Sequence, residues 1–341
     1  MKKKLSIVDI ANALNVSKTT ISFILNGRAQ EKRISGDLVK KVMEYVAEVG
    51  YKANSLAKSL RTGKSNTIGL MVEDISNPFF ASIARLIEDR AYKNGYKIIY
   101  CSTDNDTQKT RDLISMFRER HVDGYIIAPP EGIEEDIESL INDGMPVVLF
   151  DRHLPNVATD FIEVDNLFST YNATRHLIDQ GFRNIALVTF ASQQTQMLDR
   201  VRGYQDAITS KGLKAIIKEI AFHQDEELIM NPLRDFMKGN PDLDAILFGT
   251  NHIGTCGLKV MKELDKKAPT DLAIISFDDY DVFKLHSPPI TAIAQPVEEI
   301  ADYVINVLLD KLNDRSASLR SRSVILRTDL KIRSSSLKSS V

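Results

Sequence analysis

The stretch IVDIANALNVSKTTISFILNG, residues 7–27, decides the fold of the N-terminal region. Apolar residues recur at i, i+3, i+4 and i+7 and predict one face of a short helix: Ile7, Ile10, Ala11 and Leu14. Asn15 tolerates the left-handed backbone of a tight turn, and Ser17 is a good N-cap for a second helix over residues 18–25. Asn26-Gly27 then ends that helix. Two short helices joined by such a turn form a helix-turn-helix.

A third helix completes the predicted all-α head, residues 1–50. Ser35 caps this helix and Gly50 stops it. Its inward face consists of Leu38, Val42, Tyr45, Val46 and Val49.

The charge of the chain is unevenly distributed. The net charge is −2, but residues 1–65 carry 13 Lys and Arg against 5 Asp and Glu, which gives +8. The remainder carries 31 basic and 41 acidic residues, which gives −10. A basic head on an acidic body indicates polyanion binding by the head alone. A merely solvated basic end would explain the charge but not the helix-turn-helix pattern.

The early, outward residues of the second helix are candidates to face the major groove of DNA. Lys18 can donate to guanine O6 and N7 or to a phosphate, and Thr19 can bond either kind of base edge or touch a thymine methyl. Thr20 and Ser22 are polar neighbours on the same helix. Phe23 lacks hydrogen-bonding power, so it either packs on a thymine methyl or shields the core.

Residues 51–65, YKANSLAKSLRTGKS, form a predicted hinge that is short, basic and poor in apolar residues. Such a segment can form one or two helical turns but cannot stay folded alone, so we expect its folding to be coupled to DNA binding. Leu60 on this basic segment suits a wedge that unstacks a base step in the minor groove. A phosphate-binding loop ending at residues 63–65 is rejected, because Lys58 stands where that motif requires glycine.

Residues 66–335 alternate between strand-like and helical stretches. The strand-like runs cover residues 67–72, 97–102, 124–129, 146–151, 184–190, 245–250 and 272–279. This alternation predicts parallel sheets covered on both faces, and the series runs twice, which predicts an α/β body of two similar lobes. We expect one lobe at 66–163 with 292–335, the other at 164–291, and a tail at 336–341.

Small ligands bind beyond the carboxyl ends of parallel strands, so the cleft between the lobes is the expected effector site. Carboxylates, amides, one arginine and aromatics near the predicted strand ends suit a sugar-like, polyhydroxylated ring, although each residue alone can equally be a cap or a surface group. The candidates are Asp74, Phe79, Phe80, Asp151, Arg152, Asp165, Arg200, Asn251 and Asp278.

Other functional classes lack their motifs. The sequence has no Gly-x-Gly-x-x-Gly after a strand, no His-Glu-x-x-His and no Gly-x-Ser-x-Gly, and its six histidines have no ligand spacing. Cys101 and Cys256 are isolated, which suits a reducing cytosol. No signal-peptide core or run of about 18 apolar residues is present. We therefore expect a cytoplasmic protein with no catalytic activity, metal, cofactor or membrane partner.

Taken together, the chain resembles the LacI/GalR family of bacterial transcriptional regulators over roughly residues 5–335. The most specific stretches are residues 7–27, GYKANSLAKSLRTGKSNTIGLMVEDISNPFF (50–80), VDNLFSTYNATRHLIDQGFRNIALV (164–188) and ISFDDYDVFKLHSPPITAIAQP (275–296). The resemblance implies a homodimer, usually a repressor, that binds a palindromic operator in double-stranded DNA. It also implies a body similar to periplasmic sugar-binding proteins. A solute-binding protein serving a transporter is the alternative, and the basic head argues against it.

The resemblance extends the expected sites. The predicted DNA-binding residues are Ser6, Ser17, Lys18, Thr19, Thr20, Ser22, Phe23, Asn26, Tyr51, Asn54, Ala57, Lys58, Leu60 and Arg61. The family's effector positions match Phe79, Asp151, Arg200, Asn251, Asp278 and Gln295. The chain departs from the family pattern at His252, where Asp is usual, and at Phe23, where a polar base-reading residue is common. The loop RAQEKRIS (28–35) is also longer than usual. The effector's identity and the direction of its effect on DNA binding stay open.

Overall fold

Residues 5–51, 64–223, 225–314 and 321–338 are described from a computed structural model. The chain divides into two compact units at Ser65, a head and a body. The predicted combination of a helix-turn-helix head with a two-lobed α/β body is confirmed.

The head consists of α1 (Ile7–Leu14), α2 (Lys18–Leu25) and α3 (Gly36–Glu48). Its core forms where the helices meet, and the members with no exposed surface are Ile10, Ile21 and Val42. Asn15 adopts the left-handed conformation between α1 and α2 with φ of 54°, as the turn requires.

The first lobe is built on a parallel six-stranded sheet in the order β11-β5-β4-β3-β1-β2. Its strands are β1 (Thr67–Val72), β2 (Lys97–Ser102), β3 (Gly124–Ile127), β4 (Val147–Phe150), β5 (Asp160–Val164) and β11 (Ser323–Leu326). Its helices are α4 (Pro78–Lys93), α5 (Thr107–Glu119), α6 (Glu134–Asn142) and α12 (Val297–Asn313).

The second lobe repeats this arrangement, with the order β12-β10-β9-β8-β6-β7. Its strands are β6 (Ile185–Phe190), β7 (Ile216–Ile220), β8 (Ala245–Phe248), β9 (Ala273–Phe277), β10 (Thr291–Ala294) and β12 (Asp329–Lys331). Its helices are α7 (Asn166–Asp179), α8 (Thr195–Thr209), α9 (Glu226–Gly239), α10 (Asn251–Glu263) and α11 (Asp281–Leu285). All strands are parallel except β12, which runs antiparallel to β10.

The predicted lobe boundaries need correction at their C-terminal side. Strands β10 and β12 pair within the second sheet, whereas only α12 and β11 of the expected segment 292–335 belong to the first lobe. The chain therefore crosses between the lobes three times, after β5, β10 and β11.

The tail was expected to begin at residue 336, which is also too early. Ser336 ends a 3₁₀ turn (Ser334–Ser336) and is fully buried, with its hydroxyl 2.8 Å from His176 Nε2. Among the described helices, none is long and apolar enough to cross a bilayer.

Candidate functional sites: the head surface and the inter-lobe cleft

The second helix of the head presents a polar face to solvent. Ser17 caps α2 by accepting a hydrogen bond from the Thr20 N–H at 3.0 Å. Ile21 and Ile24 point into the core, which leaves Lys18 and Thr19 exposed at the start of the helix. This is the face that a helix-turn-helix lays in the major groove.

Three other predicted DNA-binding residues are engaged in local structure. Ser6 and Asp9 form a capping box at α1, and the Asn26 amide donates to the Ser22 carbonyl oxygen at 2.6 Å. Tyr51 packs against the head's core while staying half-exposed. The remaining predicted positions lie outside the described residues: Asn54, Ala57, Lys58, Leu60 and Arg61.

A cavity of about 80 Å³ lies between the two lobes, beyond the carboxyl ends of both sets of parallel strands. Five predicted effector residues line it: Phe79, Phe80, Asp151, Arg152 and Arg200. Phe79 and Phe80 form an edge-to-face pair at the start of α4, with ring centroids 5.0 Å apart. The cavity therefore combines an apolar wall with charged groups.

Arg152 is held by three acceptors of the first lobe. Its Nε donates to Asp151 at 2.9 Å, Nη1 to Asn105 at 3.0 Å and Nη2 to Glu73 at 2.8 Å. Burial lowers the pKa of Arg152, but the two carboxylates outweigh burial and the net direction is upward. Because each guanidinium nitrogen is already engaged, Arg152 orders the cavity wall and fixes the two carboxylates.

Arg200 differs from Arg152 because no carboxylate among the described residues contacts it. Its Nε donates to the Asn166 side chain at 2.9 Å and its Nη1 to the Gly249 carbonyl at 2.8 Å. The guanidinium stacks on Phe277, with Cζ 3.5 Å from the ring centroid. Burial lowers the pKa of Arg200, and the nearby charge of Asp278 opposes that shift. A buried guanidinium that lines a cavity and contacts only neutral groups is suited to a hydrogen-bond-accepting ligand.

The predicted effector residues Asp278, Asn251 and Gln295 are not among the residues that line this cavity. The Gln295 amide donates to Asp278 at 2.6 Å, and Asp278 also accepts from the Asn251 backbone. Burial raises the pKa of Asp278, while the charge of Arg200 and the bond from Gln295 lower it. Asp278 has φ of 64°, a conformation that non-glycine residues adopt mainly under structural or functional constraint.

Asp74 and Asp165 make local hydrogen bonds in the described conformation. Asp74 accepts from the backbone and hydroxyl of Ser76, and Asp165 caps α7 by accepting from the Phe168 N–H at 3.0 Å. Neither lines the cavity. Their carboxylates satisfy local backbone donors, which is the commonest use of Asp next to a helix or turn.

The cavity is also lined by residues that the sequence analysis did not single out as effector contacts: Glu73, Asn77, Asn105, Phe190, Gln194, Gln196, Met197, Phe222, Thr250 and His252. Gln196 is almost fully buried, and its Oε1 has no hydrogen-bond partner in the described part of the chain. Burial lowers the pKa of His252, whose ring centroid lies 6.0 Å from that of Phe190. Gln194, Gln196 and Asn105 follow predicted strands, so the strand-end argument applies to them too.

No metal site forms within the described ranges. They contain no group of three or more His, Cys, Asp or Glu side chains placed to hold a metal ion.

Comparison with known proteins identifies both units. Residues 6–54 match the model for bacterial regulatory proteins of the lacI family, and residues 174–336 match a periplasmic binding protein-like domain. The HTH-type transcriptional regulator DegA of Bacillus subtilis (strain 168) is 30% identical over 311 residues, covering 87% of this chain and 88% of DegA. The chain belongs to the lacI family of bacterial regulatory proteins. Members of this family are transcriptional regulators and not enzymes.

Two solved structures place this lacI-family chain among proteins of the same fold. The lac repressor dimer bound to operator and the anti-inducer ONPF superposes with a TM-score of 0.85 at 18% identity, covering 98% of this chain and 100% of that one. A LacI-type regulator from Alkaliphilus metalliredigens QYMF, complexed with D-xylulofuranose, has a TM-score of 0.69 at 25% identity and covers 80% of this chain and 100% of that one.

Proposed function

We propose that this regulator is a repressor that binds a palindromic operator as a homodimer and responds to a sugar-like effector held between its lobes. The observation that carries the effector part is the cavity at Arg200, where a buried guanidinium meets aromatic and amide groups. A DNA partner places this activity in the bacterial cytoplasm.

The head supplies the DNA part of the proposal. One helix-turn-helix reads a short half-site, and two heads related by two-fold symmetry read a palindrome with half-sites about one helical turn apart. Lys18 and Thr19 are the exposed residues at the start of α2 that reach base edges. The lac repressor of similar fold is a dimer on its operator, which supports the same assembly here.

The lining favours a polyhydroxylated ligand. Asp151 and the side chains of Gln194 and Gln196 can bond hydroxyl groups, while Phe79 offers an apolar face to a sugar ring. The regulator from Alkaliphilus metalliredigens holds D-xylulofuranose, which supports a sugar or sugar derivative for this chain.

The effector acts by linkage. Its influence on DNA affinity is limited by the difference between its affinities for the DNA-competent and DNA-incompetent states, typically about 1–3 kcal/mol. We propose that movement of the lobes changes the spacing of the two hinges in the dimer and thereby favours or prevents their folding on the operator.

The test begins with the full chain and a pool of random duplexes of about 30 base pairs, long enough for two half-sites about one turn apart. The duplexes that the chain selects from this pool should contain a palindrome. Analytical ultracentrifugation should show two chains bound to each such duplex. Each phosphate contact should add roughly −0.9 to the slope of log affinity against log salt. An asymmetric site occupied by a single chain would contradict the proposal.

The effector is sought by thermal shift with sugars, polyols, uronic acids and nucleobases, because a ligand that binds only the folded state raises its apparent stability. A sugar that stabilises the protein and alters operator affinity supports the proposal. A stabilising ligand with no effect on DNA binding would contradict it.

A further inference from the structure

Phe23 occupies an unusual place on α2. It is half-buried but does not belong to the hydrophobic core of the head. It lies four residues after Thr19, so both residues share one helix face. An aromatic ring therefore lies among the side chains that face DNA, although it has no hydrogen-bonding group.

The end of α2 folds the following loop back over this ring. The Gly27 N–H donates to the Ile24 carbonyl at 3.1 Å and the Arg28 N–H to the Phe23 carbonyl at 2.9 Å, with Gly27 at φ of 71°. This pair of bonds is a Schellman motif, which brings the residue after the glycine next to the last turn of the helix. The Arg28 Cζ consequently lies 5.7 Å from the Phe23 ring centroid, and Lys32 Nζ lies 5.4 Å from it.

Glu31 orients the Arg28 guanidinium. Its carboxylate accepts from Nε at 2.7 Å and from Nη2 at 2.6 Å, which is a bidentate arrangement along one edge. The Nη1 edge has no hydrogen-bond partner in the described part of the head, and the Arg28 side chain is 50% exposed. A guanidinium fixed on one edge and open on another is pre-organised to donate to an acceptor from outside.

The loop that carries Arg28 is itself fixed. Ala29 and Ile34 pack against the head's core, and the Ile34 N–H donates to the Ala29 carbonyl at 2.9 Å. Arg28 is therefore presented from an ordered element.

We propose that Arg28 is a base-reading residue of this regulator, which donates to O6 and N7 of a guanine in each half-site from outside the recognition helix. The Phe23 ring supports the guanidinium by a cation–π contact, and Glu31 aims it. Paired donors on Arg match the two major-groove acceptors of guanine. The inference rests on DNA binding by the head and adds a specificity-determining position in the loop at 28–35.

The test compares full-length variants on the site that the wild-type chain selects from random duplex DNA. Arg28→Ala should lose its preference for guanine at one position in each half-site by about 10- to 100-fold, with preferences elsewhere unchanged. Arg28→Lys keeps the charge but not the paired donors, so it should lose much of the same preference. Arg33→Asn is the matched control, because it removes a positive charge from the same loop at a left-handed position that Asn tolerates.

A second measurement does not depend on how the variants fold. Replacing that guanine by 7-deazaguanine removes N7 and should weaken wild-type binding, whereas Arg28→Ala should bind both duplexes equally. Uniform weakening of Arg28→Ala at all sequences with a reduced salt slope would mean a phosphate contact and overturn the proposal. An unchanged preference profile would also overturn it. Failure of the wild-type chain to select any site would instead count against the proposed function.

Discussion

Arg200 is the residue on which effector binding should depend most. Its guanidinium is buried and lines the cavity, and its hydrogen bonds to Asn166 and Gly249 are to neutral groups. Arg200→Met keeps much of the volume but removes the donors, so the thermal shift caused by the effector should disappear. Operator affinity without effector should stay near that of the wild type, which also reports a correctly folded dimer. Arg202→Met is the control, because Arg202 lies on the same helix and is exposed; loss of the response in that variant as well would place the effector elsewhere.

His153 should make stability depend on pH. Its Nδ1 lies 2.9 Å from Glu163 Oε2, and this hydrogen bond raises the pKa of His153 above the ordinary value of about 6.5. A raised folded-state pKa stabilises the fold fully below that ordinary value, and the contribution disappears as pH rises through the folded pKa.

The measurement is urea unfolding of the wild type and His153→Gln at a series of pH values that begins at about pH 6 and rises. The difference in free energy of unfolding between the two proteins should shrink as the pH rises. His223→Gln, at an exposed histidine of the same body, is the control substitution. A difference for His153→Gln that is constant with pH would refute the ion pair.

At the scale of elements, the close contact of α7 and α8 depends on Gly203. A Cβ at this position would lie 2.1 Å from the Leu167 carbonyl oxygen, so any side chain pushes the two helices apart. The same contact lets Arg200 on α8 reach Asn166 at the start of α7. Gly203→Ala should therefore lower the free energy of unfolding by about 1–3 kcal/mol and weaken effector binding as well.

Gly239→Ala is the matched control for that change, since nothing lies within 4 Å of a Cβ at Gly239. It should raise the free energy of unfolding by up to about 1 kcal/mol. Equal effects of the two substitutions in thermal or urea unfolding would show that the contact between α7 and α8 does not cause the loss in free energy of unfolding at Gly203.

At the scale of the whole body, the lobes are joined by hydrogen bonds at several points around the cleft. On one side the Glu131 carboxylate accepts from the Gln193 N–H at 2.7 Å and from Ser192 Oγ at 3.1 Å. Elsewhere the Asn251 amide donates to Asn77 at 3.0 Å. In the described conformation the lobes therefore contact each other directly on either side of the cavity, and these bonds favour approach of the lobes over their separation.

Glu131→Ala should open the cleft more often. Losing about 1 kcal/mol from the closed state predicts about fivefold faster effector dissociation, measurable by stopped-flow fluorescence. Scattering of the free protein should also show a larger radius of gyration. Glu135→Ala, at an exposed residue of the first turn of α6, is the control. Unchanged dissociation in Glu131→Ala would mean that the cleft opens without breaking this contact.

Local sequence patterns predicted the first and last residues of some helices and strands and could not predict those of others. The bounds of α2 follow from Ser17 and from Asn26-Gly27, and β1 and β2 follow from unbroken apolar runs. The strand before Asp165, β5, was expected, but its start was not predicted because Asp160 and Glu163 interrupt its apolar pattern. Asp160 is buried because Lys311 on α12 pairs with it, a partner that local sequence does not indicate.

Local sequence patterns likewise predicted some residues of the cleft and missed others. The strand-end argument points to Asp151 and Arg152, and the helix start after β6 contains Arg200. Phe222 follows β7. This strand contains Lys218 and Glu219, so it was not recognised from an unbroken run of apolar residues. The distinction between a cap such as Asp165 and a lining residue depends on which way each side chain turns, and that is decided by packing between elements distant in sequence.

The threefold crossing between lobes has a consequence for synthesis on the ribosome. Strand β11 completes the edge of the first sheet beside β5, and β12 completes the second beside β10. Until residue 331 has left the exit tunnel, the second sheet lacks its last strand, and β10 leaves unpaired the backbone N–H and C=O groups that β12 will bond, which invites pairing with another nascent chain. The head needs only residues up to 51 for its described packing. A translating ribosome therefore carries the complete helical head well before the two sheets of the body can be completed.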